Sequence, residues 1–492
     1  MVKRYQLYID GRPVEATGGR TLPSVNPYTG AVWAEIPDAS AADVSRAVAA
    51  ANRAFHEGWC NTPGVLRAGL MHKLAALVEA NADRLSTIES TDNGKIVRET
   101  RPQMLWVARN LRYFAGYADK LLGQHLPLDQ PNTLDYLSLE PYGVVGVITA
   151  WNSPLSLLAN KLAPALAAGN CVVVKPSEHA SASTLEFASL VEEAGFPPGV
   201  FNVVTGGAET GRALVDDPGV SLVSFTGSPN VGRHIAAAAG RRLIPVKLEL
   251  GGKSPNIIFD DADLDKAVVG ALAGIFGATG QTCVAGSRLV VQRNVYDQVI
   301  DRLATRASSI RMGDPLDSAT EMGAVANEPQ YRRILAAIEA AKEAGGRLIC
   351  GGRRATGPGL DQGYFIEPTI FADVDNRSEL AQEEIFGPVL AIIPFDTEAE
   401  AIAIANDTRY GLAAGIWSRD ISRVMRVSKA IQAGSVWVNT YRALAAQAPF
   451  GGFKESGIGR ERGEAGLHEY MTTKNVMIDY SDAVRDPFAI RT

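Results

Sequence analysis

Three side chains of this sequence are suited to covalent chemistry on a carbonyl group: a cysteine, a glutamate and an asparagine. Cys283 lies in "GATGQTCVAGSR" (277–288) among small and flexible residues, including Thr282, that would let a substrate carbonyl group approach the sulfur. A reactive thiol occupies such a polar, partly open setting, whereas an inert one packs among apolar side chains. Cys283 is therefore a candidate nucleophile, and a small buried hydrophobe is the alternative.

Two polar side chains near the ends of predicted strands are suited to assisting such a nucleophile. Glu249 in "LELGG" ends an apolar strand, and ligands of open α/β sheets bind at the carboxyl ends of strands. Apolar surroundings raise the pKa of a carboxyl group toward what a general base needs; the alternative is an ion-paired surface glutamate. Asn152 in "ITAWNSP" could donate its amide N–H to an oxyanion, or cap the helix that follows.

Three further residues at strand ends are suited to holding a nucleotide. Lys175 and Glu178 in "VVVKPSEHAS" form a charged pair that can bind ribose hydroxyl groups. Ser228 in the turn "SFTGSPNVG" stands where a helix begins, and helix N-termini favour phosphate groups. The turn has neither the G-x-G-x-x-G pattern nor the Lys-Ser/Thr of a P-loop, so its spacing alone does not identify the ligand.

The elements that must position these residues alternate along the chain. Residues 144–252 alternate apolar strands with helices, which predicts a doubly wound parallel sheet of about five strands, covered on both faces. A second α/β alternation runs from helix 263–278 to strand "SVWVNT" (435–440), and residues 40–120 are mainly helical. Two extended pieces, 126–141 and "TTKNVMIDY" (472–480), would be exposed edges unless they pair with each other or with another subunit.

Composition argues against several other classes of protein. The 492 residues carry a net charge of −6 without a basic run, which disfavours nucleic acid as a partner. No stretch approaches the ~18–20 apolar residues of a membrane span, and the first residues do not form a signal peptide. The four cysteines form no CxxC pair, so we expect neither disulfides nor a metal site. A cytoplasmic enzyme is the expectation.

The motifs, in their order along the chain, resemble those of the NAD(P)-dependent aldehyde dehydrogenase superfamily, of the hydrolytic type. The matching stretches are "WNSP", "KPSE", "FTGS", "LELGGKSP", "GQTCVAGSR", "EEIFGPV" (383–389) and "PFGGFKESGIGRE" (449–461). The resemblance implies an α/β fold with a Rossmann-like NAD-binding domain over 1–122 and 142–250 and a second α/β catalytic domain over 251–469. It also implies oligomerisation strands over 123–141 and 470–492, in a homodimer or a homotetramer.

The resemblance further implies a role for each motif residue. Cys283 is the implied nucleophile, Glu249 the base, and the Asn152 side chain with the Cys283 backbone N–H the oxyanion hole. NAD is the implied cofactor, and the residues implied to contact it are Trp151, Lys175, Glu178, Phe225, Gly227, Ser228, Leu250, Glu384 and Phe386. A carboxylate at Glu178 accepts from a ribose 2′-hydroxyl and repels a 2′-phosphate, so NAD is predicted to be preferred over NADP.

The predicted substrate pocket departs from the family pattern by being more polar. Ser153 replaces the usual Phe of the oxyanion stretch, and Asn160 stands where many relatives have Trp. Trp106 and Phe450 would still supply apolar walls. Arg442, in the loop leading to the site, could bind an anion bidentately or contact another subunit. We expect a polar aldehyde, such as a semialdehyde or a substituted aromatic aldehyde.

Three alternatives to an aldehyde dehydrogenase that hydrolyses its acyl intermediate stay open. A coenzyme A-acylating dehydrogenase would use the same thiol, but acylating relatives tend to lack the glutamate, so Glu249 favours hydrolysis. An acyl phosphate reductase would not need the full set of hydrolytic residues. A non-catalytic protein on a recruited enzyme scaffold would not need Cys283, Glu249 and Asn152 together.

Overall fold

The first large sheet is built from the alternating segment that begins at Val144. In the computed structural model, which describes residues 2–482 and residue 488, the predicted five parallel strands form the centre of this sheet. In spatial order they are Val246–Glu249, Leu222–Thr226, Val144–Thr149, Cys171–Pro176 and Phe201–Val203. Every residue of Val144–Thr149 and Cys171–Pro176 is buried, because helices pack against the sheet.

Three short antiparallel strands extend this sheet at its edges and were not predicted. Gly457–Ile458 pairs with Val246–Glu249 at one edge, and Leu7–Ile9 followed by Arg12–Val14 forms the other. Strands of two or three residues are too short for a detectable alternation of polar and apolar positions. The edge strand Gly457–Ile458 brings the last motif of the chain beside the strand that ends at Glu249.

The helices of residues 41–242 surround this sheet. They are Ala41–Glu57, Gly64–Ala80, Ala82–Asn93, Val97–Ala115, Pro154–Ala168, Ala182–Ala194, Ala208–Asp216 and Pro229–Arg242. A glycine that follows a helical run predicts where the helix ends, and Gly169 (φ 95°) and Gly195 (φ 89°) do end two of these helices, both in the left-handed conformation. A serine followed by proline likewise predicts a helix start, and Ser153 is the N-cap of Pro154–Ala168, although its hydroxyl makes no capping hydrogen bond.

The second α/β alternation forms a seven-stranded sheet. In spatial order its strands are Arg347–Cys350, Thr369–Ala372, Val389–Phe395, Arg288–Gln292, Pro255–Ile258, Ala413–Trp417 and Ser435–Val438. Its helices are Leu264–Phe276, Tyr296–Ala307, Glu328–Glu343, Glu379–Gln382, Glu398–Asn406, Ile421–Ala430 and Gly463–His468. The sequence pattern missed the strand Pro255–Ile258 because it follows Val246–Glu249 after only residues 250–254, and it missed Thr369–Ala372 because four residues carry little periodicity.

Three smaller groups of strands and turns complete the described residues. Lys3–Arg4, Thr21–Val25 and Val32–Pro37 form a three-stranded sheet, and Tyr410–Gly411 pairs with Phe453–Lys454. The 3₁₀ turns are Trp59–Asn61, Gly277–Gly280 and Arg293–Val295. Among the described residues, no helix has the length and apolar character needed to cross a membrane.

The two extended pieces that lay outside both sheets pair with each other. Thr133–Pro141 and Met471–Asp479 are antiparallel over nine residue pairs, and Gln124–Leu126 adds a third strand. The pairing is one of the two solutions predicted for these edges. Residues 483–487 and 489–492 of the predicted oligomerisation strand 470–492 lie outside the described residues. The division of the chain into domains and the oligomerisation role stay predictions.

Candidate active site

The loop that carries Cys283 begins with a run of left-handed backbone. Ala278 (φ 54°), Thr279 (φ 55°) and Gly280 (φ 71°) are consecutive, and the turn ends with Gln281 donating its N–H to the Ala278 carbonyl. A Cβ atom at position 280 would lie 2.0 Å from the Gly387 carbonyl oxygen, so only glycine permits this close approach. The loop therefore holds Cys283 outside regular structure and partly exposed, as predicted.

Among the charged groups, Glu249 has the largest influence on the pKa of the Cys283 thiol. The carboxyl is 4% exposed, and neither oxygen has a hydrogen-bond partner of ordinary distance and angle among the described residues. Burial, followed by the charge of Glu461, raises the pKa of Glu249 to about 8, while the nearby Cys283 thiol acts in the opposite direction. Burial, followed by the charge of Glu249, likewise raises the pKa of Cys283 well above its ordinary value.

Asn152 lies beside the Cys283 loop and does not cap the helix that follows it. Its side-chain nitrogen donates a hydrogen bond to the Gln281 carbonyl oxygen, 2.9 Å away. The N-cap of the following helix is Ser153. Of the two functions predicted for Asn152, the geometry therefore disfavours the helix cap. It instead places the Asn152 amide against Gln281, two residues before Cys283 in the sequence.

Lys95, which sequence reasoning missed, supports the backbone at Asn152. Its Nζ donates to the Asn152 carbonyl and to the Ser153 hydroxyl. The ammonium is buried, and burial lowers its pKa, while the charges of Glu99 and Glu89 oppose that shift. Ser153, predicted to face the substrate pocket, is thus tied to a cation. The signal in the sequence is a lone lysine in "DNGKIV" (92–97), which has no distinguishing spacing.

A buried polar network joins the helix after Asn152 to the end of the last motif. Lys161 forms an ion pair with Glu461, and Asn160 Nδ2 donates to the other Glu461 oxygen at 3.1 Å. Asn160 Oδ1 accepts from Asn110 at 3.0 Å and from Arg462 Nε at 3.4 Å. Asn160 is 2% exposed, and its oxygen and one of its two amide hydrogens are bonded to protein partners, so this network fixes the position of its side chain.

Glu461 and Lys161 were also missed as functional residues, although each carried a signal. Lys161 is the single charged residue of an otherwise apolar helix, and Glu461 ends the matched stretch "PFGGFKESGIGRE". Glu461 lines a cavity together with Glu249 and Phe450. Its charge is also the second cause of the raised pKa at Glu249, so the two carboxyl groups belong to one site.

The residues predicted to bind the nucleotide lie together at the carboxyl ends of the parallel strands of the first sheet. Lys175 Nζ and Glu178 Oε2 are 3.2 Å apart. Burial acts to raise the pKa of Glu178, but the charge of Lys175 and hydrogen bonds outweigh it and lower the pKa. Ser228 is exposed and is the N-cap of Pro229–Arg242, accepting a 3.4 Å hydrogen bond from the Val231 N–H.

Phe225 and Leu250, two apolar residues predicted to contact the cofactor, each pack closely against a glycine. A Cβ at Gly227 would lie 2.4 Å from the Phe225 ring, which is buried beneath the turn. A Cβ at Gly232, in the following helix, would lie 2.7 Å from the Leu250 side chain. Phe225 and Leu250 therefore pack under the turn and helix and hold their backbone in place.

Glu384 reaches the site from the second α/β unit, in the segment before the strand Val389–Phe395. Its Oε1 accepts from the Gly252 N–H at 2.9 Å, and burial raises its pKa to about 7. A cavity beside it is lined by Thr282 and Phe386, so residues predicted for the substrate and for the cofactor share one space. The Trp151 and Phe386 rings meet edge to face, with centroids 5.3 Å apart.

The remaining pocket residues divide between the site and its rim. Trp106 and Phe450 both pack against the Arg462 guanidinium. Arg442 is partly exposed at φ 61° and donates to the Ala273 carbonyl at 3.3 Å. No cluster of His, Cys, Asp or Glu within the described part of the chain could hold a metal ion.

Comparisons with known proteins agree with this arrangement. The sequence model of the aldehyde dehydrogenase family matches residues 14–476. A (Z)-2-((N-methylformamido)methylene)-5-hydroxybutyrolactone dehydrogenase of Acinetobacter baylyi is 46% identical over 495 residues, covering 100% of both chains. A mitochondrial aldehyde dehydrogenase of Mesocricetus auratus is 45% identical, over 96% of this chain and 95% of its own. The solved betaine aldehyde dehydrogenase of Staphylococcus aureus in complex with NAD+ has a TM-score of 0.97 at 39% identity, over 99% of this chain and 96% of its own.

Proposed function

This chain belongs to the aldehyde dehydrogenase family, and from that premise we propose that it oxidises an aldehyde to a carboxylic acid through a covalent intermediate on Cys283. The observation that carries the proposal is the closeness of a loop thiol to the buried Glu249 carboxyl, which has no hydrogen-bond partner of ordinary geometry among the described residues and whose charge raises the pKa of the Cys283 thiol. A thiol and a carboxyl group placed together supply a nucleophile and its base.

The chemistry proceeds in two stages on the cysteine. The ionised Glu249 carboxylate accepts the thiol proton, and the Cys283 sulfur attacks the aldehyde carbon to form a thiohemiacetal. The Asn152 amide and the Cys283 backbone N–H stabilise the oxyanion. Loss of hydride from that carbon leaves a thioester. Glu249 first passes the thiol proton to solvent and then takes a proton from water, whose oxygen attacks the thioester. The tetrahedral adduct expels the Cys283 sulfur as a thiolate, which takes that proton back from Glu249, and the carboxylic acid leaves.

NAD, when bound, supplies the hydride acceptor. The residues of this chain suited to hold it are Lys175 and Glu178 for the ribose, Ser228 for the pyrophosphate and Glu384 for the second ribose. The fit rests on a carboxylate kept ionised beside Lys175, an exposed hydroxyl at a helix N-terminus, and a half-buried Glu384 carboxyl held by the Gly252 N–H. Relatives of this fold are solved with NAD+ bound.

The Glu178 carboxylate favours NAD over NADP, because it would repel a 2′-phosphate. The test is kcat/KM for both cofactors in the wild type and in Glu178→Ser. We expect the wild type to prefer NAD and the variant to lose most of that preference. Faster turnover of the wild type with NADP would contradict the assignment.

Hydrolysis is favoured over transfer of the acyl group to coenzyme A because Glu249 is present to activate water. The experiment is NADH formation from a panel of aldehydes, with and without coenzyme A, in the wild type and in Cys283→Ala. Turnover without coenzyme A that is lost in Cys283→Ala supports the proposal. Turnover that requires coenzyme A would instead support an acylating enzyme, and no turnover at all would favour a non-catalytic role.

We assign the substrate to the polar aldehydes, since Ser153 and Asn160 stand where many relatives carry aromatic side chains of an apolar tunnel, and Arg442 lies in the loop leading to the site. We also assign the sheet formed by 124–126, 133–141 and 471–479 to assembly of a homodimer or homotetramer in the cytoplasm. Tyr136 and Met477 expose 38% and 55% of their surface there, which another subunit would cover. Light scattering on the wild type and on Met477→Glu tests the assembly, and an unchanged mass would contradict it.

A further inference from the structure

Arg462 differs from the other buried arginines in having unused donors. Three arginines are buried in the described part of the chain. Arg67 donates to three backbone carbonyl groups and Arg288 to four acceptors. Arg462 is 8% exposed, yet the only hydrogen bond from its side chain to a described residue is the 3.4 Å contact from Nε to Asn160. Since a buried charge is normally paired, both Nη atoms lack an expected anionic partner.

No carboxylate among residues 2–482 supplies that partner. Glu461, the neighbouring residue, is already bound by Lys161 and Asn160, and none of its oxygens reaches the Arg462 guanidinium within 4.0 Å. The guanidinium instead lies against two rings, 5.2 Å from the Trp106 centroid and 4.8 Å from the Phe450 centroid. Aromatic contacts hold the group in place without using its N–H donors.

The backbone at Arg462 is strained. Its φ of 61° and ψ of 170° fall in a region that essentially only glycine adopts. Residues held in such conformations cluster at active sites and ligand clamps. The neighbouring Glu461 exchanges two hydrogen bonds of 2.7 Å with the backbone of Phe450, which fixes the point from which the arginine projects.

The guanidinium belongs to the same site as the thiol. Phe450, which it contacts, packs in one apolar cluster with Cys283 and lines one cavity with Glu249 and Glu461. Burial lowers the pKa of Arg462, and the charges of Glu461, Cys283 and Glu249 oppose that shift. The free donors therefore lie within the electrostatic reach of the reacting groups.

We propose that Arg462 is the specificity-determining residue of the substrate pocket, and that the aldehyde oxidised here carries a carboxylate that binds the two free Nη donors. The pairing is the bidentate one that planar guanidinium groups favour. Trp106 and Phe450 flank the guanidinium, so an aromatic or unsaturated chain that joins the two ends of the substrate would meet aromatic surface beside its carboxylate. This inference rests on the proposed aldehyde oxidation and specifies its substrate class.

The test compares aldehydes of one shape that differ in charge: para-formylbenzoate with para-formylbenzamide, and succinate semialdehyde with butanal. The measured quantity is the ratio of kcat/KM for the acidic to the neutral member, in the wild type, Arg462→Leu, Arg462→Lys and Arg241→Leu. Leucine keeps a side chain at the strained position, and Arg241 is an exposed arginine whose loss removes the same charge far from the site.

We expect the ratio to fall about 10- to 100-fold in Arg462→Leu, to recover in part in Arg462→Lys, and to stay at the wild-type value in Arg241→Leu. An equal loss for acidic and neutral aldehydes in Arg462→Leu would make the arginine a structural residue and overturn the proposal. Absence of turnover by the wild type with every aldehyde would instead contradict the proposed function, which keeps the two failures apart.

A second measurement needs no variant. Benzoate and benzamide are tested as inhibitors of the wild type against a neutral aldehyde. The proposal expects benzoate to compete at a concentration at least about 10-fold lower than benzamide. Equal inhibition, or none by benzoate, would overturn it even if Arg462→Leu fails to fold.

Discussion

Asn152 donates its side-chain amide N–H to the backbone carbonyl of Gln281, with 2.9 Å between donor and acceptor. The bond joins the loop that follows the strand Val144–Thr149 to the loop that carries Cys283, two residues beyond Gln281. Since the other amide hydrogen has no protein acceptor among the described residues, the same bond that fixes Asn152 leaves it a donor for an oxyanion.

Asn152→Ala is therefore expected to lower kcat by about 10²- to 10³-fold, because it removes one oxyanion donor. Steady-state NADH formation measures the loss. Asn152→Asp is the matched control, since it keeps the shape but places a negative charge beside the oxyanion, and it should be no more active than alanine. Wild-type kcat in Asn152→Ala would contradict the assignment.

Replacing Glu249 by Gln is expected to separate the two stages of the reaction. Without Glu249 the thiol must give its proton to solvent, so the first equivalent of NADH should form more slowly, and without an activated water the thioester should then accumulate. Rapid mixing should therefore show a slowed phase of NADH formation limited to about one equivalent per site. Full steady-state turnover in Glu249→Gln would contradict this role.

The pH profile of the wild type follows from the same residue. Glu249 has a pKa of about 8, because burial and the charge of Glu461 disfavour its ionised form. The base form therefore grows as pH rises, and kcat should rise with a midpoint near pH 8 and level off about one pH unit above it. Glu461→Gln removes the neighbouring charge and should move the midpoint of that rise to lower pH. An unmoved midpoint would exclude coupling between the two carboxyl groups.

Through Glu249, the stability of the fold should depend on pH in the opposite sense to kcat. The folded pKa of Glu249 lies above its ordinary value of 4.5, so its proton is bound more tightly in the folded chain. That contribution is fully present below about pH 4.5 and is lost as pH rises to about 8. Glu249→Gln should thus gain thermal stability relative to wild type between pH 5 and pH 8, by about 2 °C or more. A constant difference across that range would contradict the shift.

The ion pair between Lys161 and Glu461 is buried, with side-chain exposures of 1% and 9%. Lys161→Met is expected to lower the free energy of unfolding by about 3–5 kcal/mol, because Glu461 would stay buried without its cation. Lys161→Met combined with Glu461→Gln should recover part of that loss, since no charge is then left unpaired. Urea unfolding measures both, and equal stability of the single and double variants would argue against the pair.

Gly251→Ala tests whether Glu384 holds the cofactor. An added Cβ would lie 2.1 Å from Glu384 Oε2, so the carboxyl must move. We expect KM for NAD to rise about 10-fold or more, in line with the loss of a charge-assisted hydrogen bond. Gly240→Ala is the control, because its Cβ meets open space in an exposed helix. Unchanged KM in Gly251→Ala would remove Glu384 from the cofactor site.

The sequence by itself determined the local order of the chain. Alternation of apolar strands with helices predicted the five central parallel strands, and Gly169 and Gly195 predicted two helix ends, because these features depend on neighbouring residues. Cys283, Glu249 and Asn152 were identified from short motifs, and the structure places them around one loop. Strands of two to four residues, such as Gly457–Ile458, escaped because they hold too little periodicity.

Only the tertiary structure decided which side chains that are distant in sequence are buried together. Lys161 and Glu461 lie 300 residues apart in sequence, yet they form one ion pair beside Glu249. The same packing leaves Arg462 buried with two free donors. Asn160, which the sequence placed in the substrate pocket, forms hydrogen bonds with Asn110, Glu461 and Arg462. Burial and partners set the charge state and availability of a polar group, and both depend on contacts between segments that no local pattern encodes.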